Sequence, residues 1–299
     1  MRRIWALWIT LLVVTAAATA GCAGSGGDGI GGPGDDPDRL RKQARDALAR
    51  YDEAVRTAGG QQRFVPVGDL TGQVGDWEAG REENKASLLA GQVVAGGALP
   101  APPQATGTVT WDGGATLDVP LVGAEASLAA IPRGDCGGCP PLTVTGARLT
   151  TAKISTTRGP ATVPAWEYTL RDTAVRVTRP AVAASAAVTV TPPSWDPFNA
   201  PGGLPIDSAS VNAAGTTLTV VFVGSQGPAS VPCGADYTGE VVESANAVVV
   251  IIVTHPHAAD EACTAIGFPR TLSVELAAPL GERALLDIQQ GLPIAVTRS

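Results

Sequence analysis

The spacing of apolar residues divides the chain into one helical segment followed by many short strands. Across residues 40–58, apolar side chains recur every three or four positions, which predicts an amphipathic helix of about 20 residues. Asp36 and Pro37 precede this segment as a helix cap and a first-turn residue, and two glycines at 59–60 follow its end. Beyond them, the pattern changes to the period of two that is typical of strands.

Several stretches of this second part have the features of particular kinds of strand. Residues 106–111 and 116–119 flank the sequence Asp-Gly-Gly at 112–114, which indicates a hairpin. Residues 247–253 are continuously apolar, as in a central strand that is buried on both faces. We expect a short helix at 125–131 and further strands at 64–67, 86–94, 142–156 with a bulge at Gly146, 166–170, 175–178, 217–222, 272–276, 284–287 and 294–296.

These elements predict a β-rich α+β fold, in which one N-terminal amphipathic helix is followed by two packed antiparallel β units. Residues 183–203 are rich in Pro, Ala and Gly, which favours a linker at this point. The first unit, with the helix, then covers residues 38–182, and the second covers 204–299. One fused β-rich domain without a boundary is the alternative.

The N-terminus has the three parts of a bacterial export signal. Two arginines follow Met1, residues 4–18 are apolar, and small residues lead up to Cys22. The apolar run is too short for a stable membrane span, so residues 1–21 are predicted to be a signal peptide. The small residues before Cys22 resemble a lipobox, whose cysteine is lipidated and becomes the first residue after cleavage. An ordinary secretory signal with an incidental cysteine is the alternative.

A lipidated Cys22 predicts anchoring at the extracytoplasmic face of the cell membrane, with residues 22–37 as a Gly-rich tether. Each buried methylene contributes about 0.8 kcal/mol, so the two or more acyl chains of a bacterial lipoprotein hold it permanently. Cleavage removes Arg2 and Arg3, which leaves 19 basic against 28 acidic residues and a formal net charge of −9. This charge disfavours nucleic acid as a partner. The predicted partner is therefore the membrane, through the lipid, and the sequence identifies no protein or cell-wall ligand.

Four cysteines remain besides the lipidated one: Cys136, Cys139, Cys233 and Cys263. An even number in an exported chain favours disulfides, with three possible pairings. Proximity along the chain favours Cys136–Cys139 and Cys233–Cys263. In the chain-entropy description, closing the longer loop stabilises the fold by about 3.5 kcal/mol.

The sequence Cys136-Gly-Gly-Cys139 has the spacing of a redox pair as well as that of a structural disulfide. A redox pair needs a helix after its first cysteine, because the helix N-terminus activates the thiolate. Two prolines and a strand pattern follow here instead. We therefore expect a structural disulfide, with thiol-redox activity as the alternative.

Both histidines of the chain stand together, as His255 and His257, with Asp260 and Glu261 close behind. On an extended segment, side chains two positions apart point the same way, as a metal site requires. No third ligand is fixed by the spacing, so these histidines are weak candidates and we predict neither a metal nor a cofactor. A zinc site that combines them with Cys136 and Cys139 is still less favoured, because export promotes oxidation.

Signatures of catalysis are absent from the sequence, which contains no nucleophile elbow, Walker loop, dinucleotide fingerprint or HExxH motif. Trp77 stands within an acidic stretch that includes Asp76, Glu78, Glu82 and Glu83. Two carboxylates at a suitable separation can hydrolyse a glycoside, and the ring of Trp77 could stack on the sugar. A partly buried tryptophan beside solvent-facing acids is the simpler interpretation. Trp111, Trp166 and Trp195 are likewise expected to pack in or near strands. The sequence predicts a non-enzymatic binding or interaction module.

Several motifs are spread over most of the mature chain: QQRFVPVGDLTG at 61–72, DWE at 76–78, CGGCPPLTVTGARLTTAKISTTRGPATVPAWEYTL at 136–170, CGADY at 233–237, VVES at 241–244, the region of Cys263, and PLGER at 279–283. Together they resemble a group of actinobacterial lipoproteins that has no established activity. The resemblance implies an envelope lipoprotein and carries over no catalytic residue.

Overall fold

The computed structural model describes residues 36–79, 82–194, 201–258 and 261–298. The fold is β-rich, with 40% strand against 15% helix and with both antiparallel and mixed sheets, which confirms the β-rich class. The predicted signal peptide, Cys22 and all of the tether before Asp36 lie outside the described residues. Among the helices of the described residues, none is long and apolar enough to cross a membrane.

Helix α1 (Pro37–Thr57) is the longest helix of the described chain. Its N-cap is Asp36, whose Oδ1 accepts a hydrogen bond from the backbone N–H of Asp38 at 3.1 Å. At the other end, the N–H of Gly60 donates to the carbonyl of Val55 at 2.8 Å, and Gly60 has the positive φ that such a terminus requires. One face of α1 is buried, through Leu40, Ala44, Ala47, Leu48, Tyr51 and Val55.

The first sheet contains eight of the described strands. The elements in this part are β1 (Pro66–Val67), β2 (Gly72–Val74), α2 (Glu82–Leu89), β3 (Val93–Ala95), β4 (Thr106–Trp111), β5 (Thr116–Pro120), α3 (Ala124–Ala129), β6 (Leu142–Thr156), β7 (Ala161–Leu170) and β8 (Arg176–Pro180). The main strand order is β1-β6-β7-β4-β5, in which β6 and β7 are the long strands. Strand β8 pairs with β7 and β2, and β3 runs parallel to β6.

Local predictions for this sheet are confirmed at two points and wrong at one. The hairpin forms between β4 and β5, and the pairing of β6 with β7 shifts register between Val144 and Gly146, where the bulge was expected. The strand predicted at 86–94 is wrong over its first part, where α2 ends at Leu89 and only β3 is extended. A short apolar run does not distinguish helix from strand by its period. Here Ser87 is buried in the helix, and its single hydroxyl proton is shared between the carbonyls of Glu83 at 2.8 Å and Pro140 at 2.7 Å.

The C-terminal part contains two four-stranded sheets. Their strands are β9 (Ile206–Val211), β10 (Thr217–Gly224), β11 (Ala235–Glu243), β12 (Ala247–Pro256), β13 (Phe268–Glu275), β14 (Ala284–Leu286), β15 (Pro293–Ile294) and β16 (Val296–Arg298). The strand orders are β13-β10-β9-β16 and β11-β12-β14-β15. Each sheet holds one parallel pair, β9 with β16 and β12 with β14, so the sheets are mixed and the prediction of antiparallel units is wrong at these pairs. The chain leaves β12 for the other sheet, forms β13 there, and returns beside β12 in the same direction.

Strand β12 lies at the centre of three layers and is buried on both faces, as its apolar run predicts. Ala247, Val249 and Ile251 belong to the core shared with α1. The alternate residues Val248, Val250 and Ile252 belong to the core between the two sheets.

Helix α1 therefore packs on the β11-β12-β14-β15 sheet, whereas the sequence places it in one unit with the first β-rich part. The core between α1 and β12 also contains Val65, Val188 and Val190. The last two come from the segment predicted to be a linker, so part of that segment is buried structure.

Candidate functional site

A groove runs along the side of α1 and has a volume of about 540 Å³. This volume lies within the range of roughly 300–1,000 Å³ that is usual for small-molecule sites. Small and apolar side chains form most of its surface. One wall is α1, with Ala49, Arg50, Glu53, Ala54 and Thr57, and the other is the segment after β8, with Ala184, Ala187, Thr189, Val190 and Thr191.

Both walls of the groove are anchored in the same core. The inner face of α1 packs on β12, and Val188 and Val190 reach into that core from the opposite wall. Hydrogen bonds add to this at the middle of the helix, where Tyr51 donates to Gln62 Oε1 at 2.6 Å. Burial of Tyr51 raises the pKa of its phenol well above the ordinary value. The groove is therefore built into a rigid part of the fold.

Ion pairs and hydrogen bonds hold α1 to the β11–β12 hairpin. Asp52 Oδ1 accepts from Asn246 Nδ2 at 2.9 Å. Arg41 donates to both carboxylate oxygens of Glu240, from Nε at 2.7 Å and from Nη2 at 2.6 Å. The hydrogen bonds from Arg41 hold the pKa of Glu240 below its usual value.

Arg50 carries the most unusual polar atom of the groove. Its Nε is buried and has no hydrogen-bond partner among the described residues. Its Nη2 lies 3.5 Å from the carbonyl of Gln290, at the limit of a hydrogen bond. An unpaired buried donor costs about 1–3 kcal/mol, and more when it is charged. Because Arg50 also lines the groove, its guanidinium has unused donor capacity next to this cavity.

A second cleft of about 360 Å³ shares Arg50 with the groove. Its lining includes Arg39 and Lys42 as further basic residues and Asp46 as the acidic one. Lys42 pairs with Asp46 at 2.6 Å. The two cavities together present an apolar channel beside a predominantly basic end, which complements an apolar molecule with one anionic group.

The predicted disulfide Cys136–Cys139 forms in a loop before β6, with 5.7 Å between the Cα atoms. Asp135 Oδ1 accepts from the N–H of Gly137 at 2.9 Å, and Gly137 has a positive φ of 65°. Pro140 and Pro141 lead directly into β6. The helix that would activate a redox pair is absent from this described loop.

The other predicted disulfide, Cys233–Cys263, joins the loop before β11 to the loop before β13, with 5.6 Å between the Cα atoms. The two histidines lie nearby and have separate partners. His255 Nε2 is 2.8 Å from Thr238 Oγ1, and His257 Nδ1 is 2.8 Å from the carbonyl of Ala229. Within the described ranges, no group of three metal-ligand atoms includes either histidine. Asp260 lies outside them.

The residues of the acidic stretch around Trp77 have different surroundings. Trp77 packs against the core of the first sheet, as expected of a partly buried anchor. Glu78 accepts hydrogen bonds from Thr173 Oγ1 at 2.9 Å and from the N–H of Ala174 at 3.0 Å, so it fastens a loop. Asp76 and Glu83 are exposed, and the side chain of Glu82 lies outside the described residues.

The other tryptophans pack as expected where they are described. Trp111 Nε1 donates to Thr156 Oγ1 at 3.0 Å, and the guanidinium of Arg158 stacks 4.5 Å from its ring. Trp166 Nε1 donates to the carbonyl of Val122 at 2.9 Å. Trp195 lies outside the described residues.

Sequence reasoning missed two charged positions that the fold encloses. Glu167 is only 8% exposed and pairs with Arg148 at 2.9 Å and Arg176 at 3.4 Å, although its alternation with Trp166 predicts a solvent-facing residue. Arg50 was missed because it occupies the polar stripe of α1. Neither residue belongs to a sequence motif. Their burial depends on which strands and segments pack together in the fold.

No family model, curated protein or solved structure matches this chain.

Proposed function

We propose that this chain is an exported, lipid-anchored protein of the bacterial cell envelope that binds a small amphiphile without catalysing a reaction. The proposed ligand has an apolar body and one anionic group. The proposed site is the groove between α1 and residues 184–191. The observation that carries the proposal is the buried, unpartnered Nε of Arg50 in the wall of a mainly apolar groove.

The N-terminal sequence supports the location. A basic start, an apolar run at 4–18 and small residues before Cys22 have the order of a lipoprotein signal, with residues 1–21 as the leader and 22–37 as the tether. The two disulfides are compatible with an oxidising compartment. The resemblance to actinobacterial lipoproteins of unknown activity points the same way.

The finer organisation is part of the same proposal. The proposed units are 38–182, whose range includes the N-terminal helix, and 204–299, with 183–203 between them. The burial of Val188 and Val190 with α1 supports a version in which the two units are packed together and this connecting segment forms one wall of the site.

The shape and charge of the groove support the ligand class. Its wall residues Ala49, Ala54, Ala187 and Val190 leave space for an apolar body. At the end shared with the second cleft, Arg50 and the neighbouring basic residues favour an anion. Charge-assisted hydrogen bonds to a guanidinium are stronger than neutral ones, so the anionic group contributes to specificity as well as affinity.

The test is a fluorescence titration of the full chain with 1-anilinonaphthalene-8-sulfonate, an apolar ring system that carries one sulfonate. We expect saturable binding at one site. Ala49→Trp and Ala184→Trp fill the groove from opposite walls and should each abolish this binding. Ala126→Trp, at an exposed position of α3, is the matched control and should bind as the wild type does.

Arg50→Met separates the anionic contact from the apolar one. Loss of a charged hydrogen bond of about 1.5–3 kcal/mol should weaken sulfonate binding by roughly 10- to 100-fold. Unchanged binding in both tryptophan variants would refute the groove as the site. Equal affinity of Arg50→Met and the wild type would refute the role of Arg50.

A further inference from the structure

Three potential metal ligands converge at the second disulfide. Cys233 Sγ, Cys263 Sγ and a carboxylate oxygen of Glu261 all lie within 4.8 Å of one another. Glu261 is held in place, because its Oε2 accepts a hydrogen bond from the N–H of Cys233 at 2.7 Å. Of the residues that the structure describes, no other three form such a group.

His257 lies beside this cluster and outside its three mutually close ligand atoms, and we consider it as a fourth ligand because of its contact with Glu261. Its Nε2 lies 4.0 Å from Glu261 Oε1. Its Nδ1 is 2.8 Å from the carbonyl of Ala229, which can only accept, so a neutral ring carries its proton on Nδ1. The lone pair of Nε2 then faces Glu261. Histidines that ligate zinc are oriented in this way, by donating their other ring N–H to a carbonyl or carboxylate.

We propose that the reduced chain binds one Zn²⁺ through Cys233, Cys263, Glu261 and His257. Reduction by an external dithiol breaks the Cys233–Cys263 bond. Two electrons and two protons pass to the two sulfurs, and the dithiol becomes a disulfide. Zn²⁺ then displaces both thiol protons and is held by two thiolates, one imidazole and one carboxylate, a ligand set that suits zinc. The oxidised chain lacks the two thiolates, so zinc binds at this site only after the disulfide has been reduced.

Zinc binding requires His257 to move towards the cysteines, because this residue stands outside the group of mutually close ligand atoms. Tetrahedral zinc with bonds of about 2.3 Å to sulfur and 2.0–2.1 Å to nitrogen or oxygen places two sulfurs about 3.8 Å apart and the nitrogen and oxygen about 3.4 Å apart. The Cα atoms of the cysteines, 5.6 Å apart, allow the sulfurs to separate by side-chain rotation once their bond is broken. The gap between His257 and Glu261 closes by less than about 1 Å from its present 4.0 Å.

Access favours the same reaction. Cys233 and Cys263 are both exposed, so a dithiol can reach them. The disulfide Cys136–Cys139 is an internal control, because neither of its cysteines belongs to a group of three ligands in the described part of the chain. His255 is a second control, since its ring contacts Thr238 Oγ1 and lies outside the cluster.

The experiment compares oxidised and phosphine-reduced full chain under anaerobic conditions. Each form is incubated with Zn²⁺, separated from free metal and analysed for bound zinc. Co²⁺ replaces Zn²⁺ in a parallel titration, because its absorption reports thiolate ligation and tetrahedral geometry. Circular dichroism of the reduced chain monitors the β-rich fold.

We expect one zinc per reduced chain, none per oxidised chain, and retained circular dichroism. His257→Ala and Glu261→Gln should each lower the zinc affinity at least about tenfold, since even outer-shell partners of zinc ligands contribute about 10- to 100-fold. His255→Ala, Glu275→Gln and the double variant Cys136→Ser/Cys139→Ser should bind zinc as the wild type does.

Four results would overturn the proposal. They are an absence of zinc in the reduced chain, loss of the fold on reduction, undiminished affinity in both His257→Ala and Glu261→Gln, and loss of binding in the Cys136→Ser/Cys139→Ser variant. The last result would indicate that Cys136 and Cys139 bind the zinc instead.

Discussion

Replacing Leu40 with alanine tests whether α1 is an integral layer of the C-terminal core. Leu40 is fully buried in the cluster that α1 shares with β12. Its side chain meets Ile288 around Gly203, which has no side chain to fill the vacated space. Three carbons at about 0.8 kcal/mol each give about 2.4 kcal/mol, and the remaining cavity raises such losses to 2.7–5.0 kcal/mol in a well-studied series, so we expect about 3–4 kcal/mol.

Urea unfolding of the full chain, followed by circular dichroism, measures this loss. With a slope of about 3 kcal/mol/M, a loss of 3 kcal/mol lowers the midpoint by about 1 M. Leu89→Ala is the matched control, because Leu89 also lies in a helix but is 77% exposed. It should change stability by less than about 0.5 kcal/mol. Equal losses in the two variants, or a loss below about 1 kcal/mol for Leu40→Ala, would refute the packing of α1 on β12.

Three further predictions concern charge, covalent links and backbone. The hydrogen bond from Arg41 lowers the pKa of Glu240, so the ionised pair stabilises the fold fully at pH values above the ordinary carboxyl pKa. This stabilisation is lost as the pH falls through the lowered pKa. Glu240→Gln should therefore show a shallower loss of stability on acidification, and parallel pH profiles would contradict this. The double variant Cys233→Ser/Cys263→Ser should lower the free energy of unfolding in urea by about 3.5 kcal/mol. The double variant Cys136→Ser/Cys139→Ser should lower it clearly less, because its smaller ring restricts the unfolded chain less. The reverse order would contradict the chain-entropy description. Gly291→Ala should cost at least about 1 kcal/mol, because Gly291 has a positive φ of 72° and an added Cβ would lie 2.9 Å from Arg50 Nη2. Gly113→Ala, where an added Cβ has open space, should have little effect, and similar melting of these two variants would contradict the reasoning.

Some elements could be predicted because their signals are local. The Asp-Gly-Gly turn at 112–114 specifies the β4–β5 hairpin through backbone chemistry within a few residues. The continuous apolar run of β12 reports burial on both faces, whichever elements supply the cover. The two disulfides follow from proximity along the chain.

Other features could not be predicted, since they depend on which segments meet. Strand β14 pairs in parallel with β12 because the intervening β13 joins the other sheet. The spacing of apolar residues in α1 does not predict that its apolar face covers β12, because an amphipathic helix can pack on any apolar surface.

The two candidate sites were hidden for the same reason. Arg50 has the position of a solvent-facing helix residue, and the opposite wall of its groove lies in a segment with the composition of a linker. At the second disulfide, the pattern His255-Pro-His257 suggested that the two histidines act together. The fold instead brings His257 to Glu261 and leaves His255 with Thr238.

Mass spectrometry of the mature N-terminus tests the proposed location most directly. The chain is expressed from its full reading frame in a bacterium, recovered from the membrane fraction and digested. We expect an N-terminal peptide that begins with Cys22 and bears acyl chains. We also expect the Cys22→Ala variant to be absent from the membrane fraction. A mature chain that starts elsewhere, or one whose Cys22 carries an unmodified thiol, would contradict it.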